Sequence, residues 1–121
     1  MLNPRIRARR LKAEYQRVRK LHDSKGLIAI EQVRGDPPDR YWIRFTCRGI
    51  VKLINEQPVY SDIHRVAIVL TNTFPTTQPL MEWLTPIFHP NIRPNGEEVC
   101  IGTWYPAKKL DRLVLMLGEM V

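Results

Sequence analysis

The sequence predicts an α+β domain: one helix, then a four-stranded antiparallel meander, then an irregular loop and a second helix. Two patterns support this fold class. Apolar residues recur at helical spacing near both ends of the chain, whereas strand-like runs separated by turn-forming residues fill residues 27–84. A length of 121 residues fits a single domain spanning residues 1–121, with a core that needs no disulfide or metal.

The first helix has a clear start signal. Asn3 is a typical N-cap residue, and Pro4 suits the first helical position. An apolar stripe at helical spacing follows, and it consists of Leu11, Tyr15, Val18 and Leu21. The segment 23–26 is rich in turn formers and predicts the end of the helix.

Four strands are predicted next, over residues 27–33, 41–47, 66–70 and 80–84. The second strand alternates apolar and polar side chains, which predicts a half-buried strand with Cys47 on its core side. Turn-forming residues at 35–39 and 55–58 separate the strands. His22 and His64 suggest no role. A last helix is predicted to start near Ala107, and its apolar face comprises Leu110, Leu113, Val114 and Leu117.

The net charge of +7 is concentrated at the N-terminus. Residues 1–20 carry eight basic residues and one acidic residue, Glu14, and therefore account for all of it, while the rest of the chain has eleven of each sign. A basic helix can dock an acidic protein, contact nucleic-acid phosphates, or simply face solvent. Because no aromatic platform accompanies the charge, single-strand binding is disfavoured.

Several classes of protein are disfavoured by composition. No apolar run is long enough to span a membrane, and no apolar segment near Met1 resembles a signal peptide. The two cysteines, Cys47 and Cys100, are too few for a disulfide framework, and no zinc-binding spacing occurs. We expect a protein of the reducing cytoplasm that binds no metal and no membrane.

The irregular segment 86–102 is the main candidate for function, because long loops inside compact domains are usually functional or disordered. It contains Phe88-His89-Pro90-Asn91 and, nine residues after Asn91, Cys100. A thiolate that attacks an acyl carbon, next to an amide that supports the oxyanion, is a plausible acyl-transfer site. A buried cysteine and a turn asparagine are the plainer interpretation of the same residues.

This segment and the residues just after it resemble the active-site region of ubiquitin-conjugating enzymes in order and spacing. The resemblance lies in four stretches, residues 86–92, 95–96, 99–101 and 104–107. Residues 74–83 are similar to that family's Tyr-Pro-x-x-x-Pro segment. The match is residue-specific from about Phe74 to Ala107, and the order of elements matches along the whole chain. The resemblance implies the ubiquitin-conjugating α/β fold.

The resemblance also implies roles for individual residues. Cys100 would accept a ubiquitin-like protein as a thioester, and Asn91 would hold the loop or steady the oxyanion. His89 would be structural, bonding to the loop backbone rather than acting as a base, and Pro90 would fix the turn.

Trp104 and Pro106 would pack beside the cysteine loop and begin the last helix. Glu97 and Glu98 are expected to be solvated charges of the loop; the alternative is that they attract the incoming lysine or serve as its base.

The partners implied are a ubiquitin-like modifier, its activating enzyme, a target lysine and, in some reactions, a ligase, with no cofactor. The basic residues implied in docking the activating enzyme are Arg5, Arg7, Arg9, Arg10 and Lys12. Two alternatives stay open: a catalytically inactive module of this fold that only binds partners, and, less favoured, a nucleic-acid-binding module that works through the basic helix.

Three departures from the family pattern stand out. The interval from Cys100 to Trp104 is shorter than in most eukaryotic members, and the interval from Asn91 to Cys100 is one residue longer than usual. Both predict a divergent member, such as one from a bacterial or archaeal ubiquitin-like system. The sequence also ends at Val121, before the family's gate loop and final helices, so we expect a domain without those helices and without their acidic residue that assists the incoming lysine.

Overall fold

A computed structural model describes residues 3–23, 25–93, 96 and 99–121. The predicted element order and the α+β class are confirmed. The elements are α1 (Pro4–Arg19), β1 (Ile28–Gly35), β2 (Pro38–Ile54), β3 (Gln57–Val69), β4 (Leu80–Trp83) and α2 (Leu110–Glu119). Within these described residues, neither helix is long and apolar enough to cross a membrane.

The four strands form one antiparallel sheet in the order β1-β2-β3-β4, as predicted. Asn55 and Glu56 make the tight turn between β2 and β3, with φ angles of 50° and 64°. The outer strands are much shorter than this central hairpin, since β1 pairs with β2 only as far as Phe45 and β4 pairs with residues 66–69 of β3. Residues 47–63 therefore extend beyond both neighbours as a two-stranded ribbon.

The core lies on one face of the sheet, beneath both helices. Alternate residues of β2 point into it, and Tyr41, Ile43 and Phe45 are each at most 2% exposed. The helices contribute buried residues at helical spacing, namely Leu11 and Val18 from α1 and Leu110, Leu113, Val114 and Leu117 from α2. The apolar stripe predicted for each helix is thus its buried face.

The prediction that Cys47 lies in the core is wrong, because its side chain is exposed. A β-bulge between Thr46 and Gly49 includes Cys47 and breaks the two-residue alternation of β2 at this position. The bulge also gives a role to His64, which is fully buried. Its Nε2 lies 2.9 Å from the Cys47 carbonyl oxygen and 3.0 Å from that of Ser61.

The start of α1 is as predicted, because the Asn3 side chain accepts a hydrogen bond of 2.8 Å from the Arg5 N–H. The start of α2 is later than predicted. Residues 105–108 form a turn closed by the Lys108 N–H and the Tyr105 carbonyl, and Lys109 is the N-cap of the helix. Pro106 is therefore an exposed turn residue and does not begin α2, contrary to the prediction.

Glu14, the one acidic residue of α1, is fully buried between the two helices. One carboxylate oxygen accepts the Leu110 N–H of α2 at 2.5 Å, and the other lies 2.6 Å from Nη1 of Arg17. The Nε of Arg10 lies 3.7 Å from the same carboxylate. Glu14 thus provides the cap that Lys109 lacks, since an anion at a helix N-terminus satisfies free N–H groups and favours the helix dipole.

After β4 the chain leaves the sheet, and Gly96 returns to its edge. The Trp83 N–H donates to the Gly96 carbonyl at 2.9 Å, and Gly96 has a φ of 78°. A Cβ atom at this position would lie 2.5 Å from the Trp83 carbonyl oxygen. Pro94, Asn95, Glu97 and Glu98 lie outside the described residues, so the interpretation of Glu97 and Glu98 as solvated charges stays a prediction.

We expect Glu14→Ala to lower the free energy of unfolding by about 3 kcal/mol, because it leaves a buried helix end and the neighbouring guanidinium groups without their anion. Urea unfolding followed by circular dichroism measures the change. Glu119→Ala, at an exposed position of α2, is the matched control and should change stability by less than about 0.5 kcal/mol. Equal effects of the two variants would contradict this account of Glu14.

Gly96 and Gly102 permit a second test, because both have a φ of 78° but only Gly96 is crowded. Gly102→Ala should cost about 1 kcal/mol for the left-handed backbone conformation alone. Gly96→Ala should cost about 2 kcal/mol more, because the methyl group overlaps a backbone oxygen. Similar unfolding midpoints for the two variants would show that the contact with Trp83 does not hold the loop.

Candidate functional site

The structure brings Asn91 and Cys100 together. The Cys100 N–H donates to the Asn91 carbonyl oxygen at 2.7 Å, and an antiparallel bridge pairs the next residues inward, Ile92 and Val99. Ile92 and Val99 are buried, whereas Asn91 and Cys100 are exposed at the surface. A short backbone pairing thus anchors the loop in the core and presents the amide and the thiol side by side to solvent.

His89 is engaged by the backbone of this turn. Its Nδ1 accepts a hydrogen bond of 3.1 Å from the Asn91 N–H, and its carbonyl oxygen accepts one from the Ile92 N–H. A neutral imidazole has one acceptor nitrogen, and here the backbone already occupies it. This arrangement leaves His89 poorly suited to remove a proton from Cys100. Pro90 lies beside it as an exposed turn residue.

Trp104 holds the chain on the other side of Cys100. Its indole N–H donates to the Pro75 carbonyl at 2.9 Å, and its ring lies 6.0 Å from that of Phe74. Only three residues separate Cys100 from Trp104. The thiol therefore sits on a short segment that is fixed at Asn91 and again at Trp104. Pro106 lies in the turn beyond and makes no comparable contact with this segment.

The five basic residues predicted to dock a partner lie on two different faces of α1. Arg5, Arg9 and Lys12 are exposed. Arg7 and Arg10 instead contact the rest of the domain: Nη2 of Arg7 donates to the Thr71 carbonyl, and Nη2 of Arg10 donates to the Lys108 carbonyl, each at 2.8 Å. Arg7 and Arg10 are thus held within the domain and are less available to a partner than the other three, and the docking role of the five residues stays a prediction.

Sequence reasoning missed the supporting roles of Arg10 and Glu14 near the site. The Arg10 guanidinium lies 5.3 Å from the centre of the Phe74 ring, which in turn contacts Trp104. The same helix therefore contacts the chain after Cys100 directly at Lys108 and Leu110, and indirectly through Phe74, which packs on Trp104. The sequence did contain a signal for ion pairs at Glu14. This residue follows Arg10 by four positions and precedes Arg17 by three, which is the spacing of ion pairs on a helix.

Similar curated proteins are ubiquitin-conjugating enzymes. The chain is 29% identical over 107 residues to "Ubiquitin-conjugating enzyme E2 S" of Drosophila willistoni, covering 73% of this chain and 47% of that protein. It is 38% identical over 64 residues to the Drosophila melanogaster protein of the same name, covering 50% of this chain and 30% of that protein. The matched region thus spans less than half of these relatives.

Solved structures of similar fold carry the same description. The structure of human ubiquitin-conjugating enzyme E2 G1 superposes with a TM-score of 0.64 at 21% identity, covering 99% of this chain and 97% of that one. A ubiquitin-conjugating enzyme E2 from Plasmodium falciparum superposes with a TM-score of 0.68 at 17% identity, covering 93% and 95% of the two chains. At these identities the likeness establishes the fold.

These relatives are eukaryotic, so the prediction of a bacterial or archaeal member finds no support in them. The sequence profile described as "Ubiquitin-conjugating enzyme" matches residues 10–121, which is nearly the whole chain. That match agrees with the fold and with the pairing of the Asn91 turn with Cys100. The chain belongs to the ubiquitin-conjugating enzyme family.

Proposed function

We propose that this protein accepts ubiquitin or a ubiquitin-like protein on Cys100 and transfers it to an amine of a target. The observation that carries the proposal is the exposed thiol of Cys100, anchored through its backbone beside Asn91 in a chain of this family. The activity, substrates and partners are proposed rather than shown, because the chain spans only part of its curated relatives.

The reaction has two balanced steps. In the first, the Cys100 thiolate attacks the modifier's thioester on the activating enzyme, a new C–S bond forms, and the enzyme's own cysteine leaves as a thiolate. In the second, a lysine amine attacks the Cys100 thioester, the C–N bond forms, the C–S bond breaks, and the proton that the nitrogen loses reprotonates the sulfur directly or through water. Thioester exchange changes the free energy little, so positioning of the thiol matters most.

Asn91 is proposed to stabilise the oxyanion that develops when the amine attacks. Its carbonyl oxygen is held by the Cys100 N–H, and its side chain is at the exposed surface next to the thiol. An amide N–H that is aimed at a developing negative charge stabilises the transition state more than the ground state.

The activating enzyme is proposed to dock on the exposed basic face of α1. A groove of about 520 Å³ runs between α1 and the turn from β1 to β2. Its walls carry the cations Arg9, Lys12 and Arg19 and one acid, Asp36. This balance of charge favours an acidic partner surface. The target protein is a further partner in this function, and a ligase takes part in some reactions.

We expect Cys100→Ala to abolish formation of a thiol-sensitive adduct, because it removes the proposed acceptor, and Cys100→Ser to form an oxyester that resists thiol. The measurement is a charging reaction with ATP, an activating enzyme and ubiquitin, resolved on a non-reducing gel. Cys47→Ala removes the other exposed cysteine and should charge like the wild type. Normal charging of Cys100→Ala would overturn the assignment, and a wild type that never charges would favour the binding-module alternative.

Asn91→Ala should slow discharge of the preformed thioester to free lysine by roughly 10²–10³, the usual cost of losing one oxyanion donor. Charging should fall much less, because a thiolate is a stronger nucleophile than an amine and has no proton to lose, so its attack depends less on one oxyanion donor. The rates of iodoacetamide alkylation of Cys100 in both proteins report whether the loop is intact. Equal losses in charging and discharge would indicate a purely structural role for Asn91.

Arg9→Glu should raise the KM for the charged activating enzyme by about tenfold at low ionic strength, with less effect at high salt. Lys52→Glu, at an exposed position of the hairpin, makes the same change in net charge and is the control. Equal effects of the two variants would assign the change to net charge rather than to docking on α1.

A further inference from the structure

A cavity of about 300 Å³ opens between the segment after Cys100 and the first turns of α2. Most of its lining is apolar or aromatic, and three cations complete it. The lining residues are Ile101, Trp104, Tyr105, Ala107, Leu113 and Met116, together with the cations Lys108, Lys109 and Arg112. The volume is at the small end of pockets that bind ligands, large enough for one or two side chains.

The cavity is open because the connection from Cys100 to Trp104 is short. Only three residues, Ile101 to Thr103, lie between Cys100 and Trp104. The indole N–H of Trp104 in turn donates a hydrogen bond to the Pro75 carbonyl. The segment forms one wall of the cavity and has no spare length with which to cover it. Ile101, which lines the cavity, is the next residue after Cys100, so the cavity adjoins the segment that carries the thiol.

Within the part of the chain that the structure describes, two of the three cations have no acidic partner and can meet a ligand. Lys108 donates to the Thr103 carbonyl oxygen and lies over the Tyr105 ring, and is therefore engaged. Lys109 and Arg112 are exposed, and the ion pairs among the described residues include neither.

The nearest acid in the sequence, Asp111, accepts a hydrogen bond from the Arg112 N–H at the start of α2. The rim of the cavity is thus cationic above an apolar floor. This combination suits a segment that pairs carboxylates with an apolar side chain.

We propose that this cavity binds an acidic, partly apolar segment of the target protein, adjacent in sequence to the lysine that attacks Cys100. The inference rests on the proposed function of Cys100 and adds a preference among targets. A residue of extended chain spans about 3.3–3.6 Å, so a segment seated against Ile101 places a lysine one or two residues away within reach of the thioester.

The charge of the site favours the target as the occupant. A protonated lysine that enters with a segment bound in the cavity meets like charges on Lys109 and Arg112, which disfavours binding. Carboxylates beside the lysine offset that repulsion and add attraction of their own. The modifier is held by the covalent thioester and reacts through a carbonyl carbon rather than an amine. It therefore has no charge repulsion of this kind to offset.

The test uses Cys100 already charged with ubiquitin and separated from the activating enzyme. Discharge is measured onto two peptides that have one lysine each, flanked by Asp and Leu in one and by Asn and Leu in the other, and onto free lysine. The variant is Lys109→Glu with Arg112→Glu. Lys20→Glu with Lys25→Glu makes the same charge change at exposed positions elsewhere and is the control.

We expect the wild type and the control to discharge onto the acidic peptide about three- to tenfold faster than onto the neutral one at low salt. The double variant at the cavity should lose or reverse this preference, with its rate onto free lysine unreduced. An unchanged preference in that variant, or none in the wild type, overturns the proposal. An equal slowing towards both peptides and free lysine would assign the cavity to the modifier, which also overturns it.

A second measurement does not depend on charging. A lysine-free acidic peptide should slow alkylation of Cys100 by iodoacetamide and leave Cys47, the exposed cysteine on β2, unaffected as an internal reference. If the peptide protects Cys100 in the wild type but not in the double variant, the binding site is supported. Should such protection be seen while no thioester ever forms, only the proposed function fails. No protection at peptide concentrations up to about 1 mM, a weak-binding limit, overturns the site.

Discussion

The buried carboxylate of Glu14 is the interaction on which the arrangement of both helices depends. A charge removed from water is tolerated only where it is paired and hydrogen-bonded, and Glu14 meets this condition through Arg17 and the Leu110 N–H. Those partners fix the position of α1 against the start of α2. Burial and the nearby Glu14 charge also raise the pKa of Tyr41 far above its usual range, so the phenol beside this carboxylate stays neutral.

The fold was predictable where local pattern and burial agree, as in the apolar stripe of α1 and the alternation of Tyr41, Ile43 and Phe45. The failures have long-range causes. The start of α2 depends on a carboxylate 96 positions earlier in the chain, which no local cap signal reveals. Cys47 lies in a bulge, and a bulge interrupts the alternation of side chains without leaving a mark in composition.

The candidate site was likewise predictable from local sequence and not from long-range packing. The order of Asn91 and Cys100 along the sequence was informative, because a short loop that folds back on itself brings near neighbours together. Residue type could not distinguish the exposed basic residues of α1 from those that contact the domain. Arg7 and Arg10 differ from Arg9 only in the side of the helix that they occupy. That side is set by how α1 lies on the sheet and α2. The cavity beside Cys100 likewise depends on residues of α2 whose distance from the thiol is a tertiary property.

The ribbon formed by residues 47–63 bears on how the protein behaves at high concentration. Strand edges without neighbours can pair with the edges of other molecules and seed aggregates, and this ribbon also exposes Leu53, Ile54 and Tyr60. Two irregularities in the pairing of β2 with β3, together with Pro58 on β3, interrupt any long, flat run of free backbone groups. The ribbon thereby keeps exposed apolar side chains while its backbone resists intermolecular sheet formation and precipitation.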